Sequence, residues 1–380
     1  MSDAPIRDAV VVAGPGDADR RIAGVPLPLR TILVLQRGGV ERVTLVGAPV
    51  PCDPRVRVPV TAAAALAPAS DAAPHLVVGP GTVIDGALLA ALQRRVRPGD
   101  VVELVRDGAR VRVAPGPQVA ANGVRPAAPP AGTLAPASLS DAALERALLR
   151  GLENPRDGYL DGVCYRRVSR LAVTPLLLRT PLTPNAVTVL GVAAGVAGAL
   201  LLGVPGVLPV VGAVLLLVLS GAMDCADGEL ARLRFHESKL GHVLDVMGDT
   251  LVHVALLIGI ALRLTRAGAV PEARWLWMLA VGVVGAFVAI TLCEVNEERR
   301  LRAAGWENRV IDGVLSPLTT RDWHVFPVAF AALGVLDWLV PWAAVGSQLF
   351  WVGTLVLCWR ALRRARHAGQ PPPGMRAARA

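Results

Sequence analysis

The chain has 380 residues, 53% hydrophobic and only 18% charged, with a mean hydropathy of +0.50; soluble domains are about a quarter charged, so a membrane protein of two or three domains is the first expectation. The formal charge of +9 comes almost wholly from arginine, Lys239 being the single lysine, and with no basic run interleaved with aromatics it does not point to a nucleic-acid partner. The cysteines at 52, 164, 225, 293 and 358 are scattered without a CxxC pair, which argues against a disulfide framework or a zinc site.

Residues 1–115 alternate short apolar runs with turn residues. AVVVAG, RVTLVGA and HLVVG are predicted strands, and PLRTILVLQRGGV and GALLAALQRRV predicted amphipathic helices. That alternation predicts a small α/β domain on a mainly parallel sheet. Its first 25 residues lack a signal-peptide pattern, so the N-terminus is expected in the cytoplasm. Residues 116–137, rich in Pro, Ala and Gly, are predicted to be a linker. Residues 138–183 are predicted to form juxtamembrane helices. Ser140 is the expected N-cap of SLSDAALERALLRGL. The stretch YRRVSRLAVTPLLLR either lies along the membrane with Arg166, Arg167 and Arg170 at the headgroups or packs with a solvated charged face.

Residues 184–366 carry apolar stretches near the ~20 residues that span a bilayer. Six spans are predicted, at about 185–204, 206–226, 240–262, 274–295, 323–341 and 346–363. An even number of crossings returns the C-terminus to the cytoplasm. The turns on that side then hold Arg232, Arg234, Lys239, Arg299, Arg300 and the Arg360–Arg366 cluster, and the outer side mainly Arg263, Arg266 and Arg274. The expected location is the cell's inner membrane, with residues 367–380 a disordered tail.

The second and third predicted spans break the hydropathy pattern. Between them runs DCADGELARLRFHESKLGHVLDVMGD, which puts Asp224, Asp227, Asp245 and Asp249 at or inside the membrane boundary. Ionised carboxylates there are costly unless they face a cavity or a cation. Asp224 and Asp227 are spaced i, i+3, and Asp245 and Asp249 i, i+4, so each pair shares a helix face. Two antiparallel helices joined by a short turn let all four converge, where repulsion calls for cations. All-oxygen ligation suits Mg²⁺ or Mn²⁺, and two such ions bridged by carboxylates bind a pyrophosphate. Gly228, Gly241 and Ala231 keep the surface shallow for a nucleotide, and Arg232 suits a carboxylate or phosphate partner. Asn185 and Thr188, at the start of the first span, either touch the nucleotide or cap their helix.

These residues resemble the CDP-alcohol phosphotransferase family, whose pattern D-x2-D-G-x2-A-R-x8-G-x3-D-x3-D is met at Asp224, Asp227, Gly228, Ala231, Arg232, Gly241, Asp245 and Asp249. The resemblance covers about residues 157–366. It implies that Asp224, Asp227 and Asp245 ligate two metal ions with Asp249 at their edge. It also implies that Gly228, Ala231, Arg232 and Gly241 line the CDP site, that Asp249 is the general base, and that CMP leaves. It implies a CDP-linked donor such as CDP-diacylglycerol or CDP-inositol, a polar alcohol or inositol-phosphate acceptor, the lipid bilayer as surroundings and a homodimer. An ion-coupled membrane carrier with no enzymatic activity is the alternative for intramembrane acids.

Residues 8–115 resemble the opening of sugar-nucleotidyltransferases, with Ala13, Gly14 and Gly16 in the loop that there cradles triphosphate. The domain departs from that family in having no lysine, in having Gly79, Pro80 and Gly81 where the family places a metal-binding Asp, and in its half length. It is therefore expected to be catalytically degenerate; an active cytidylyltransferase is the alternative. The fusion is similar to the bifunctional inositol-phosphate cytidylyltransferase/di-inositol-phosphate-phosphate synthases.

Overall fold

A computed structural model of the chain describes residues 6–65, 74–96, 101–115, 132–152, 164–268, 272–301, 305–315, 329–330 and 333–368. They divide into two bodies. The first comprises residues 1–153, 174–182 and 228–237, the second residues 154–173, 183–227 and 238–380.

The first body is built on a six-stranded sheet. In chain order its strands are β1 (Asp8–Val12), β4 (Arg42–Val46), β5 (Val60–Ala63), β6 (Pro74–Val78), β8 (Val102–Arg106) and β9 (Ala109–Pro115). Short pairs are added by β2 (Arg21–Ile22) with β3 (Val25–Pro26), and by β7 (Thr82–Ile84) with β10 (Leu134–Pro136). The order β5-β4-β1-β6-β9-β8 is parallel from β5 to β6 and antiparallel from β6 to β8. The sheet is thus mixed, its predicted parallel part running from the β5 edge to β1 and β6 at the centre, where β1, DAVVV, is apolar but for Asp8. Helices α1 (Leu27–Arg37), α2 (Gly86–Arg95) and α3 (Asp141–Arg150) complete it. Ile32 and Leu35 of α1 pack with Leu45 and Leu76 at 0% exposure, each such burial being worth about 1.5–3 kcal/mol.

This body continues past residue 115. β10 lies inside the stretch predicted as linker, the rest of which, residues 116–131, is outside the described residues. Leu144 and Leu148 of α3 pack with Ile22 and Leu27. Ser140 holds the N-cap position of α3, but its side chain makes no capping bond.

Next come α4 (Arg166–Val168), a π-helical turn at Ser169–Val173 and α5 (Thr174–Leu178). Leu171 and Leu176 are exposed, whereas Ser169 and Thr174 are buried, so the outward face of this stretch carries leucines.

The long helices are α6 (Pro184–Leu202), α7 (Val207–Arg234), α8 (Lys239–Arg266), α9 (Ala273–Val295) and, after the short α10 (Glu297–Arg300) and α11 (Trp306–Val310), α12 (Leu336–Ala368). Five helices among the described residues are long and apolar enough to cross a membrane, so this is a membrane protein with an α/β body ahead of its apolar helices. Of the predicted fifth span, residues 323–328 and 331–332 are outside the described ones. Residues 336–341, assigned to that span by hydropathy, form the first turns of α12, which runs through Pro341 without a break. As the sixth residue of α12, Pro341 leaves the carbonyl of residue 337 without its helical donor, yet the helix continues.

Glycines bring the second body's helices together. A Cβ on Gly195 of α6 would lie 2.6 Å from Ser220 Oγ of α7 and 2.7 Å from Val252 Cγ2 of α8, so α6 serves as a close-packed strut between the two acid-bearing helices. A Cβ on Gly221 would meet the Tyr165 ring at 2.8 Å.

Candidate active site

The four aspartates lie on two consecutive helices, Asp224 and Asp227 on α7, Asp245 and Asp249 on α8. One carboxylate oxygen from each of Asp224, Asp245 and Asp249 lies within 4.8 Å of the others, and all three residues are half-buried. Three carboxylates so close repel one another strongly. An all-oxygen donor set in a partly dry cleft fits a hard divalent cation such as Mg²⁺ or Mn²⁺. Asp227 is not one of the trio. It is 8% exposed and its Oδ2 accepts a hydrogen bond from the Thr188 hydroxyl at 2.5 Å.

The entry to α6 sorts the two uncertain residues. Thr183 is the N-cap, its Oγ1 accepting from Ala186 N at 3.3 Å, and Pro184 begins the helix. Neither Asn185 nor Thr188 caps. Thr188 reaches across to Asp227, and Asn185 lies over Gly241, where a Cβ would come within 3.1 Å of Asn185 Oδ1. Gly241 N donates to Ser238 Oγ, the N-cap of α8, at 2.9 Å.

Gly228, Ala231 and Arg232 follow on the last turns of α7. The Arg232 guanidinium folds back over Gly228, where a Cβ would meet its Nη2 at 3.3 Å, and Arg232 itself is exposed. Glu229 between them is fully buried and accepts from Thr174 Oγ1 at 2.8 Å.

Residues 181–359 match the CDP-alcohol phosphatidyltransferase family. A curated relative, the bifunctional IPC transferase and DIPP synthase of Aquifex aeolicus, is 29% identical over 207 residues, which are 54% of this chain and 45% of that protein. The chain thus spans less than half of that relative's length. Among solved structures, the crystal structure of Mycobacterium tuberculosis phosphatidylinositol phosphate synthase with manganese and citrate is 22% identical, covering 51% of this chain and 88% of that one at a TM-score of 0.31.

The loop of Ala13, Gly14 and Gly16 in the α/β body is filled from within. Gly14 N and Gly81 N both donate to Asp17 Oδ2 at 2.7 Å. Converging backbone N–H groups form an anion nest, and here the anion is a side chain of the loop itself. Asp85 is used structurally, accepting from Leu88 N as the N-cap of α2 and from Thr133 N, each at 2.8 Å.

Sequence reasoning missed the arginines that meet the end of α7. Arg30 Nη2 donates to Leu233 O at 2.5 Å and Arg55 Nη1 to Arg234 O at 2.7 Å. Burial brings the Arg30 guanidinium down to about 10, with repulsion from Arg37 adding to it. The available signal was an arginine inside the apolar run LPLRTILV, where helical period asks for a core residue.

Proposed function

We propose that the chain is a membrane CDP-alcohol phosphotransferase, moving a phospho-alcohol from a CDP-linked donor to an acceptor hydroxyl and releasing CMP. The observation that carries this reading is the meeting of Asp224, Asp245 and Asp249 across two helices of a domain in this family. These three, with Asp227 beside them, would hold one or two Mg²⁺ or Mn²⁺ ions, and the metal would supply charge to offset the pyrophosphate and the departing CMP. Asp227, bonded to Thr188, keeps its carboxylate turned toward α6. Gly228, Ala231 and Gly241 leave backbone open to the nucleotide, and the exposed Arg232 is available to a donor phosphate. Asp249 takes the proton of the acceptor hydroxyl while that oxygen forms a bond to the donor's β-phosphorus. The bond from β-phosphorus to the bridging oxygen breaks, and the electron pair leaves with CMP.

CDP-diacylglycerol and CDP-inositol are the donors to try, with polar alcohols and inositol phosphate as acceptors; the inositol chemistry is supported by the Aquifex relative's name as a bifunctional IPC transferase and DIPP synthase. The same reading includes six spans, both termini in the cytoplasm, the inner membrane and a homodimer. The α/β body is proposed to be without cytidylyltransferase activity, because Asp17 holds the amides a triphosphate would need. The test is CMP release by purified protein given each donor, each acceptor and Mg²⁺. Activity lost in Asp249→Ala is expected; full activity in that variant, or no CMP from any pair, sinks the mechanism.

A further inference from the structure

An α-helix leaves its last four carbonyls without partners inside the helix. In α7 these belong to Ala231, Arg232, Leu233 and Arg234, and each is accounted for. His236 N donates to Ala231 O at 2.9 Å and Phe235 N to Arg232 O at 3.4 Å, the pair of bonds that closes a Schellman cap. Arg30 and Arg55, from α1 and from the stretch before β5, take the other two carbonyls. The left-handed position of such a cap is usually glycine, but here it is Phe235 at φ 57°. Its ring is buried beneath two guanidiniums, Arg37 at 4.3 Å and Arg30 at 5.2 Å from the centroid. Arg37 also pairs with Glu237. Three residues beyond Phe235, Ser238 caps α8. The turn between the two acid-bearing helices is therefore four residues long and gripped at its first and third.

We propose that Arg30, Arg37 and Arg55 are positioning residues for the transferase: by fixing the Phe235 turn they set how α8 leaves α7, and so how closely Asp224 meets Asp245 and Asp249. The α/β body, its loop of Ala13, Gly14 and Gly16 filled by Asp17, serves as the holder of this turn. The inference rests on the reading of the three aspartates as metal ligands. A helix that ends on a left-handed aromatic does not keep that ending by itself, since the conformation is unfavourable for a residue with a Cβ. The cations at the C-terminal end of α7 also suit its dipole.

The test uses the full-length protein in lipid nanodiscs, with Arg55→Ala, Arg55→Lys and, since Arg37 and Glu237 are both exposed enough to be changed without opening the core, Arg37→Ala. Three quantities are measured: Mn²⁺ affinity by electron paramagnetic resonance, amide exchange at residues 231–237, and kcat and KM for CMP release. The alanine variants are expected to speed exchange in the turn, to weaken Mn²⁺ binding about 10-fold and to lower kcat with little change in donor KM. Arg55→Lys, which keeps a donor to Arg234 O, is expected to recover part of each. Wild-type Mn²⁺ affinity with faster turn exchange overturns the inference, and so does turn exchange unchanged in both alanine variants. If the wild-type protein itself neither binds Mn²⁺ nor releases CMP, the underlying reading has failed instead.

Discussion

The Thr188 hydroxyl donates to Asp227 across two helices, and this contact explains why an i, i+3 pair on one helix divides into two uses. Asp224 turns to the α8 acids, while Asp227 is held against α6. Thr188→Val keeps the shape and removes the donor, and leaving a buried carboxylate short of one bond costs about 1–3 kcal/mol. The expected outcome is Mn²⁺ affinity reduced roughly 10-fold, read by titration, with the helix content unchanged in far-ultraviolet circular dichroism. Gly241→Ala acts differently. Its methyl would press on Asn185 Oδ1 and Ser238 Oγ at 3.1 and 3.2 Å, so it disturbs the first turn of α8 as well as the nucleotide surface. Raised donor KM is expected, with metal affinity little changed because Asp245 lies a full turn on. The spacing of these residues could be read from the sequence, since helical period alone puts each Asp pair on a face. That Asn185 covers Gly241 and that Thr188 reaches Asp227 could not, because both depend on how α6 docks on α7 and α8.

At the scale of elements, three of the six sheet strands and two helices of the α/β body were legible from periodicity, since β1, β4, β6, α1 and α2 fall on the runs that predicted them, whereas β5 and the β8–β9 hairpin were missed. The cap of α7 was not. Local pattern looks for Gly or Asn at the left-handed position, and Phe235 adopts it only because the α/β body surrounds it. The neighbouring His236 gives this element a pH signature. Burial first, and then the Arg55 and Arg234 guanidiniums, push the His236 imidazole below its ordinary value, with Asp53 opposing them. The folded turn thus binds fewer protons than the unfolded chain as pH falls through about 6.5. Stability is full above that value and is lost progressively below it. Asp53 contributes nothing to this window, because hydrogen bonds from Arg55 hold its carboxyl down at about 2, and its stabilising effect is lost only in stronger acid. The melting temperature is therefore expected to drop between about pH 7.5 and 5.5 and to drop less in His236→Gln. Equal drops in both would show that another group titrates.

At the scale of the whole chain, the arginines bear on the proposed number of crossings. The turn between α7 and α8 carries Arg232, Arg234 and Lys239, and the end of α12 carries Arg360, Arg363, Arg364 and Arg366. If both lie on the cytoplasmic side, α8 leads outward and α9 back inward, ending beside Arg299 and Arg300. α12 also ends in the cytoplasm, so it must start outside. One further crossing is then required between Leu301 and Leu336, where the sequence holds the apolar stretch predicted as the fifth span. Residues 336–341, which hydropathy gave to that stretch, belong to α12. In a cysteine-free background, single cysteines at Arg366 and Ala267 separate the possibilities. A membrane-impermeant maleimide is expected to label position 366 only in inverted vesicles and position 267 only in right-side-out ones. Labelling of both positions from the same face would leave an odd number of crossings between them unsupported. If that face is the outer one, α12 runs outward, with its four arginines on the wrong side of the membrane.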